Sequence, residues 1–114
     1  MPDQGDIVLV PVPFTDLSAH KQRPVIVISN DAYNRRTTDI VVVAMTSNPA
    51  QVDYSFVITS NDLLQGQLNH PGTIRVDKLY TLSQSIVTRT FGRVTPRVLD
   101  RIRGLLQELV AGEA

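Results

Sequence analysis

Closely spaced β-branched runs fill the first three-quarters of this 114-residue chain, and one amphipathic segment closes it. That order predicts a mainly β fold with a C-terminal helix, a small curled β-barrel against which the helix packs. The length fits one domain spanning residues 1–114. An apolar content of 42% suffices for a single core, and 19% charged residues is too few for a disordered chain.

Each element has a local reason. Asp6–Val12 is apolar and β-branched, and Pro11 and Pro13 then remove two backbone donors, so the strand ends or becomes an edge there. Thr15–Gln22 reads as a polar loop. Pro24–Ser29 and Ile40–Thr46 are continuous aliphatic runs, the pattern of strands buried on both faces. Between them lies a polar stretch in which Asn30 or Asp31 can cap one short helical turn. Tyr54–Thr59 alternates as a half-buried strand does, and Ser60–Gln65 reads as a capped helical turn closed by Gly66. Thr73–Leu82 alternates again, with Ile74 and Val76 on one side and Arg75 and Asp77 on the other. Ile86–Val94 is a further strand, with Gly92 a candidate bulge. The helix has Thr95 as its cap, Pro96 at its first position, and apolar residues from Val98 to Val110 at three- and four-residue spacing.

Composition excludes several chemistries. With no cysteine there is no disulfide framework, thiol nucleophile or thiolate zinc site. The two histidines, His20 and His70, are 50 residues apart, with no metal-ligand spacing, so no metal and no cofactor is expected. Phosphate-loop, dinucleotide and nucleophile-elbow motifs are absent. The longest apolar run, Ile40–Met45, is six residues, and the N-terminal MPDQGD lacks signal-peptide character. A cytoplasmic protein without membrane attachment is the expectation. Net charge is zero, yet residues 1–20 carry −3 and residues 86–103 carry +4, and nine of the eleven cations are arginine.

What remains is a set of polar residues at strand ends. Gln22-Arg23-Pro24 opens one aliphatic strand and Thr46-Ser47 closes the next. If the two pair antiparallel, Arg23 and Thr46 become neighbours. A fixed guanidinium beside a hydroxyl can neutralise and orient a phosphodiester. The alternative at this point is structural: Arg23 pairs with Asp77, and Thr46 and Ser47 merely end a strand. Phe14 and Tyr33, in or beside loops, are candidates either for base stacking or for packing.

Gly5-Asp6-Ile7-Val8, the run Gln22-Arg23-Pro24-Val25-Ile26-Val27-Ile28-Ser29-Asn30, Thr46-Ser47, Arg75-Val76-Asp77-Lys78 before Tyr80-Thr81, and Phe91-Gly92-Arg93-Val94 before a helix carry a resemblance over nearly the whole chain. In this order and spacing they resemble the MazF/PemK (Kid) family of toxin endoribonucleases from type II toxin–antitoxin pairs. The resemblance implies an SH3-like (CcdB/MazF/PemK-type) barrel that forms a homodimer. It also implies cleavage of single-stranded RNA without a metal, the ribose 2′-OH attacking to leave a 2′,3′-cyclic phosphate and a 5′-OH. By position, Arg23 is the implied principal catalytic residue, with Thr46 aligning the phosphate or 2′-OH and Ser47 supporting it. Gln22, Arg75, Asp77, His20 and Phe14 are the auxiliary or RNA-contacting candidates. A cognate MazE-like antitoxin is the implied protein partner. The alternative function is a non-catalytic toxin of the same fold that binds a protein such as DNA gyrase. Two departures stand out: Leu9 occupies a place where many members carry Trp, and His20 lies two positions before Gln22, whereas some relatives have a His beside the arginine.

Overall fold

The computed structural model describes residues 1–12, 21–48 and 52–113. Its strands are β1 (Asp6–Val12), β2 (Lys21–Val27), β3 (Asp39–Thr46), β4 (Ser55–Ile58), β5 (Leu63–Gln65), β6 (Gly72–Ser83) and β7 (Arg89–Val94). Two helices, α1 (Asp31–Arg36) and α2 (Pro96–Val110), complete the fold with two short 3₁₀ turns. All strands join one antiparallel sheet in the order β4-β6-β3-β2-β1-β7-β5. The barrel expected from the sequence is thus a curled sheet with β4 and β5 as its edges.

The aliphatic runs explain why β1, β2 and β3 sit in the middle. Their side chains point alternately to two apolar clusters, so both faces are covered. Ile7, Ile26, Val43 and Met45 join Phe56, Ile74 and the helix residues Val98 and Ile102 in the first cluster. Val8, Val10, Val25, Val27, Ile40 and Val42 form the second, closed by Leu82 and Ile86. Fully burying one such side chain contributes roughly 1.5–3 kcal/mol, so these rows hold the strands in register.

One strand does the bending. β6 pairs Arg75 with Ala44 but Leu79 with Val43, so residues 76–78 form an enlarged bulge. A bulge bends its strand and raises the local twist. The first half of β6 lies between β3 and β4, and the second half carries Leu82 and Tyr80 over the second cluster.

Prolines and caps set the boundaries. β7 ends its pairing with β1 at Leu9, whose carbonyl accepts from Thr88 N at 3.0 Å. Pro11 faces the same side two residues on, where no donor is needed. Asn30 caps α1, its Oδ1 accepting from Tyr33 N at 2.8 Å, and Thr95 Oγ1 caps α2 by accepting from Val98 N at 3.4 Å.

Three boundaries differ from expectation. β2 runs Lys21–Val27 rather than Pro24–Ser29: it takes Lys21 and Gln22 from the expected loop, because Pro11 and Val12 of β1 offer them pairing, and it stops two residues earlier. The Ser60–Gln65 segment is a 3₁₀ turn only over Ser60–Asp62, with Thr59 and Asp62 in a reciprocal capping box. Leu63–Gln65 is a strand because β7 lies alongside it. The last strand, expected over Ile86–Val94, begins only at Arg89, because Gln84–Ile86 is a 3₁₀ turn in which Gln84 Nε2 donates to the Asn34, Thr37 and Asp39 carbonyls. The apolar stripe of α2 also overruns the sheet, leaving Leu109 37% and Val110 73% exposed. No helix among the described residues is long and apolar enough to cross a membrane.

Candidate functional site

The site grows from the place where β2 and β3 part. They pair from Val27–Val42 to Val25–Ala44 and then stop. Pro24 is the reason: opposite Leu9 in the β1 ladder, it turns its nitrogen toward β3, and that nitrogen carries no hydrogen. Continuing the register by two residues sets Arg23 across from Thr46, as antiparallel pairing predicts. The unzipped end opens into a groove of about 570 Å³ lined by Arg23, Thr46, Ser47, Arg75, Lys78 and Tyr80 over an apolar floor that includes Val25 and Ala44.

The polar groups of this groove are differently constrained. Asn48 N–H donates to Thr46 Oγ1 at 3.1 Å. That occupies one acceptor lone pair and leaves the hydroxyl proton to donate elsewhere. Arg75 donates from Nε to Asp77 Oδ1 at 2.8 Å and from Nη2 to Oδ2 at 2.7 Å, a bidentate pair. The hydrogen bond from Arg75 holds the Asp77 carboxyl below the usual carboxylate range, and Asp77 in turn raises the guanidinium further. The pair is half-covered, with side-chain exposures of 24% and 30%. Arg23 is exposed and forms no ion pair among the described residues. The structural alternative of an Arg23–Asp77 bridge is therefore corrected: Asp77 is already engaged two residues away along its own strand.

Of the residues singled out by sequence, Arg23, Thr46, Ser47 and Arg75 converge on the groove, with Asp77 behind Arg75. Gln22 does not. It alternates with Arg23 to the other side of β2, where the Thr88 hydroxyl lies 2.8 Å from its Oε1. Tyr33 sits in α1 and does not line the groove. His20 and Phe14 lie outside the described residues. Lys78 and Tyr80 are additions: strict alternation from Arg75 would not place both beside it, and the bulge at residues 76–78 does. Among the described residues the lining offers guanidinium, ammonium, hydroxyl and the Asn48 amide, and no carboxylate. Among the described residues no three His, Cys, Asp or Glu side chains gather as a metal would require.

Fold and groove together define a small curled-sheet protein with a cleft suited to a phosphate anion. The chain belongs to the PemK-like, MazF-like toxins of type II toxin–antitoxin systems, whose family profile matches residues 3–110. It is 29% identical over 84 residues to the endoribonuclease MazF4 of Mycobacterium tuberculosis, a match covering 74% of each chain. Among solved structures it is similar to a mycobacterial endoribonuclease in complex with its cognate antitoxin, with a TM-score of 0.77, 23% identity and coverage of 99% and 100% of the two chains. MazF of Deinococcus radiodurans gives a TM-score of 0.71 at 26% identity, covering 96% of each chain. These likenesses bear out the expected SH3-like toxin fold.

Proposed function

We propose that this chain is an endoribonuclease toxin that cuts single-stranded RNA using the substrate's own ribose 2′-OH. The observation that carries this is that Arg23, Arg75 and Lys78 line one groove with Thr46 and Ser47, with no carboxylate among the described residues of its lining. Relatives and structural neighbours named endoribonuclease support the same reading.

In the proposed step the 2′-oxygen gives up its proton and forms a bond to phosphorus. The bond from phosphorus to the 5′-oxygen breaks, and that oxygen takes up a proton. The products are a 2′,3′-cyclic phosphate and a 5′-OH. Arg23 neutralises charge on the pentacoordinate phosphorus, an electrostatic role that suits the fixed donor fork of a guanidinium. Thr46, its acceptor side engaged by Asn48 N–H, turns its proton to a non-bridging oxygen, and Ser47 supports the same oxygen. Arg75, braced by Asp77, holds the approaching strand. No step calls for a metal, because the nucleophile comes with the RNA and the charge is met by arginine.

The biological setting follows from the family. Residues 1–114 act as one domain, as a homodimer in the cytoplasm, arresting growth by cutting mRNA until a MazE-like antitoxin binds. The test is cleavage of single-stranded RNA in EDTA with the ends mapped. The expected result is metal-independent cutting with cyclic-phosphate and 5′-OH ends. Absence of cutting, or cutting only with Mg²⁺, overturns the proposal, and growth arrest with intact RNA would favour a protein target.

A further inference from the structure

Across the seam where β2 and β3 part lies a second cleft of about 420 Å³. It shares Pro24, Met45, Thr46 and Ser47 with the Arg23 groove, so the two are continuous over the Thr46–Ser47 rim. Leu9, Leu68 and Phe91 give it apolar walls, and Asn69, His70 and Arg89 stand around its mouth. Among the described residues no carboxylate lines it.

The far wall is held in place by the fold. Ser60 Oγ accepts from Leu68 N at 2.9 Å and lies 3.1 Å from the Leu68 carbonyl. Gly66 has a φ of +89°, and a Cβ there would come within 2.4 Å of the Phe91 carbonyl, so the segment lies tight against β7. At the other end, a Cβ on Gly72 would stand 2.8 Å from Met45 Sδ. Phe91 packs partly on the first core cluster, which braces its ring beside the cleft. A rigid apolar slot rimmed by amides, an imidazole and a guanidinium has the composition of a seat for one unstacked base and its phosphate.

We infer that this cleft seats the nucleotide adjoining the scissile phosphate, on the side away from the Arg23 groove, and that it sets part of the cleavage preference. Its base lies against Phe91 and Leu68, Asn69 and His70 read its edge, and Arg89 takes the next phosphate. The inference rests on the endoribonuclease reading. Continuity with the first groove, cations on both sides of the shared rim, and a cleft of about 420 Å³ walled by Leu9, Leu68 and Phe91 each point to the same occupant.

The experiment compares wild type with Arg89→Ala, Arg89→Lys and the double variant N69A/H70A on a randomised single-stranded RNA and on one preferred substrate. All three positions are exposed, and unchanged melting checks the fold. Arg89→Ala is expected to raise KM about 10-fold with kcat within about 3-fold. It should also lower the slope of log affinity against log salt by about 0.7, one phosphate contact on a single strand, and Arg89→Lys should restore that slope. The double variant should flatten base preference about 10-fold at one position beside the cut and nowhere else. Unchanged KM, salt slope and preference in variants of an active enzyme overturn this inference alone. Variants that cut normally but escape the antitoxin would assign the cleft to a protein segment and also overturn it. If wild type cuts nothing, binding of the same oligonucleotide decides: weakening by Arg89→Ala keeps the cleft as a nucleotide seat but overturns the cleavage proposal and the cleft's part in cleavage preference, and no binding removes both.

Discussion

Replacing Arg23 with alanine tests the proposed chemistry most directly, because this side chain has no visible structural duty. It forms no ion pair among the described residues and is exposed, so stability should change by less than about 0.5 kcal/mol. Its interaction with a phosphate depends on how far bound RNA excludes water from the groove. Two unit charges about 4 Å apart attract by about 1 kcal/mol in bulk water and about 4 kcal/mol at an effective dielectric near 20. These limits correspond to roughly 5-fold and 1,000-fold in rate. The floor of Val25 and Ala44 is apolar, and the transition state carries more negative charge than the substrate. The upper half of the range applies, about 100- to 1,000-fold, the size seen when one preorganised donor is removed from an oxyanion site. Single-turnover cleavage of a defined oligonucleotide in EDTA measures it, with thermal melting as the control for folding. A loss of less than about 5-fold, the solvent-screened value, would refute the assignment of Arg23.

Other predictions concern neighbouring features. Thr46→Val should lower kcat about 10- to 100-fold, the equivalent of one hydrogen bond to a charged group, while Thr46→Ser stays near wild type; equal activity in both variants would remove the hydroxyl from the mechanism. Asp77 has its pKa lowered by Arg75, so the pair's contribution to stability is complete above the ordinary carboxylate range and is lost as pH falls through the lowered value. The difference in denaturation midpoint between wild type and Asp77→Asn should accordingly be level at neutral pH and vanish in acid, and a pH-independent difference would contradict the bidentate pair. Gly104 lies mid-helix, and a Cβ added there would meet nothing within 4 Å, so Gly104→Ala should stabilise by about 0.5–1 kcal/mol with cleavage unchanged. A lowered melting temperature would mean that this face of α2 is covered in the assembled protein.

Much of this was legible because it is local. The aliphatic runs at Ile40–Met45 and Val25–Ile28 required two covered faces wherever they were placed, and two clusters supply them. Thr95 and Pro96 marked the helix start without reference to the rest of the chain. Arg23 beside Thr46 was legible one step further, since a short connection makes antiparallel neighbours of successive strands. Gln22 was harder, because grouping it with Arg23 in one motif ignored the alternation that sends them to opposite sides of β2. Leu63–Gln65 looked like the end of a helical turn because three residues carry almost no periodicity, and only β7 alongside makes them a strand.

By itself, then, the sequence determined the class of fold, the central strands and the terminal helix, and offered the meeting of a guanidinium with a hydroxyl as one of two alternatives. Each follows from side-chain period, capping or hairpin pairing over a few residues. Tertiary structure decided that Asp77 binds Arg75 and leaves Arg23 to the groove, that the β6 bulge brings Lys78 and Tyr80 to the same place, and that residues 67–72 wall a second cleft against β7. Those outcomes depend on register, bulging and packing between segments far apart in the chain. Local preference does not encode such choices, because they are settled only when the competing pairings bury their apolar faces together.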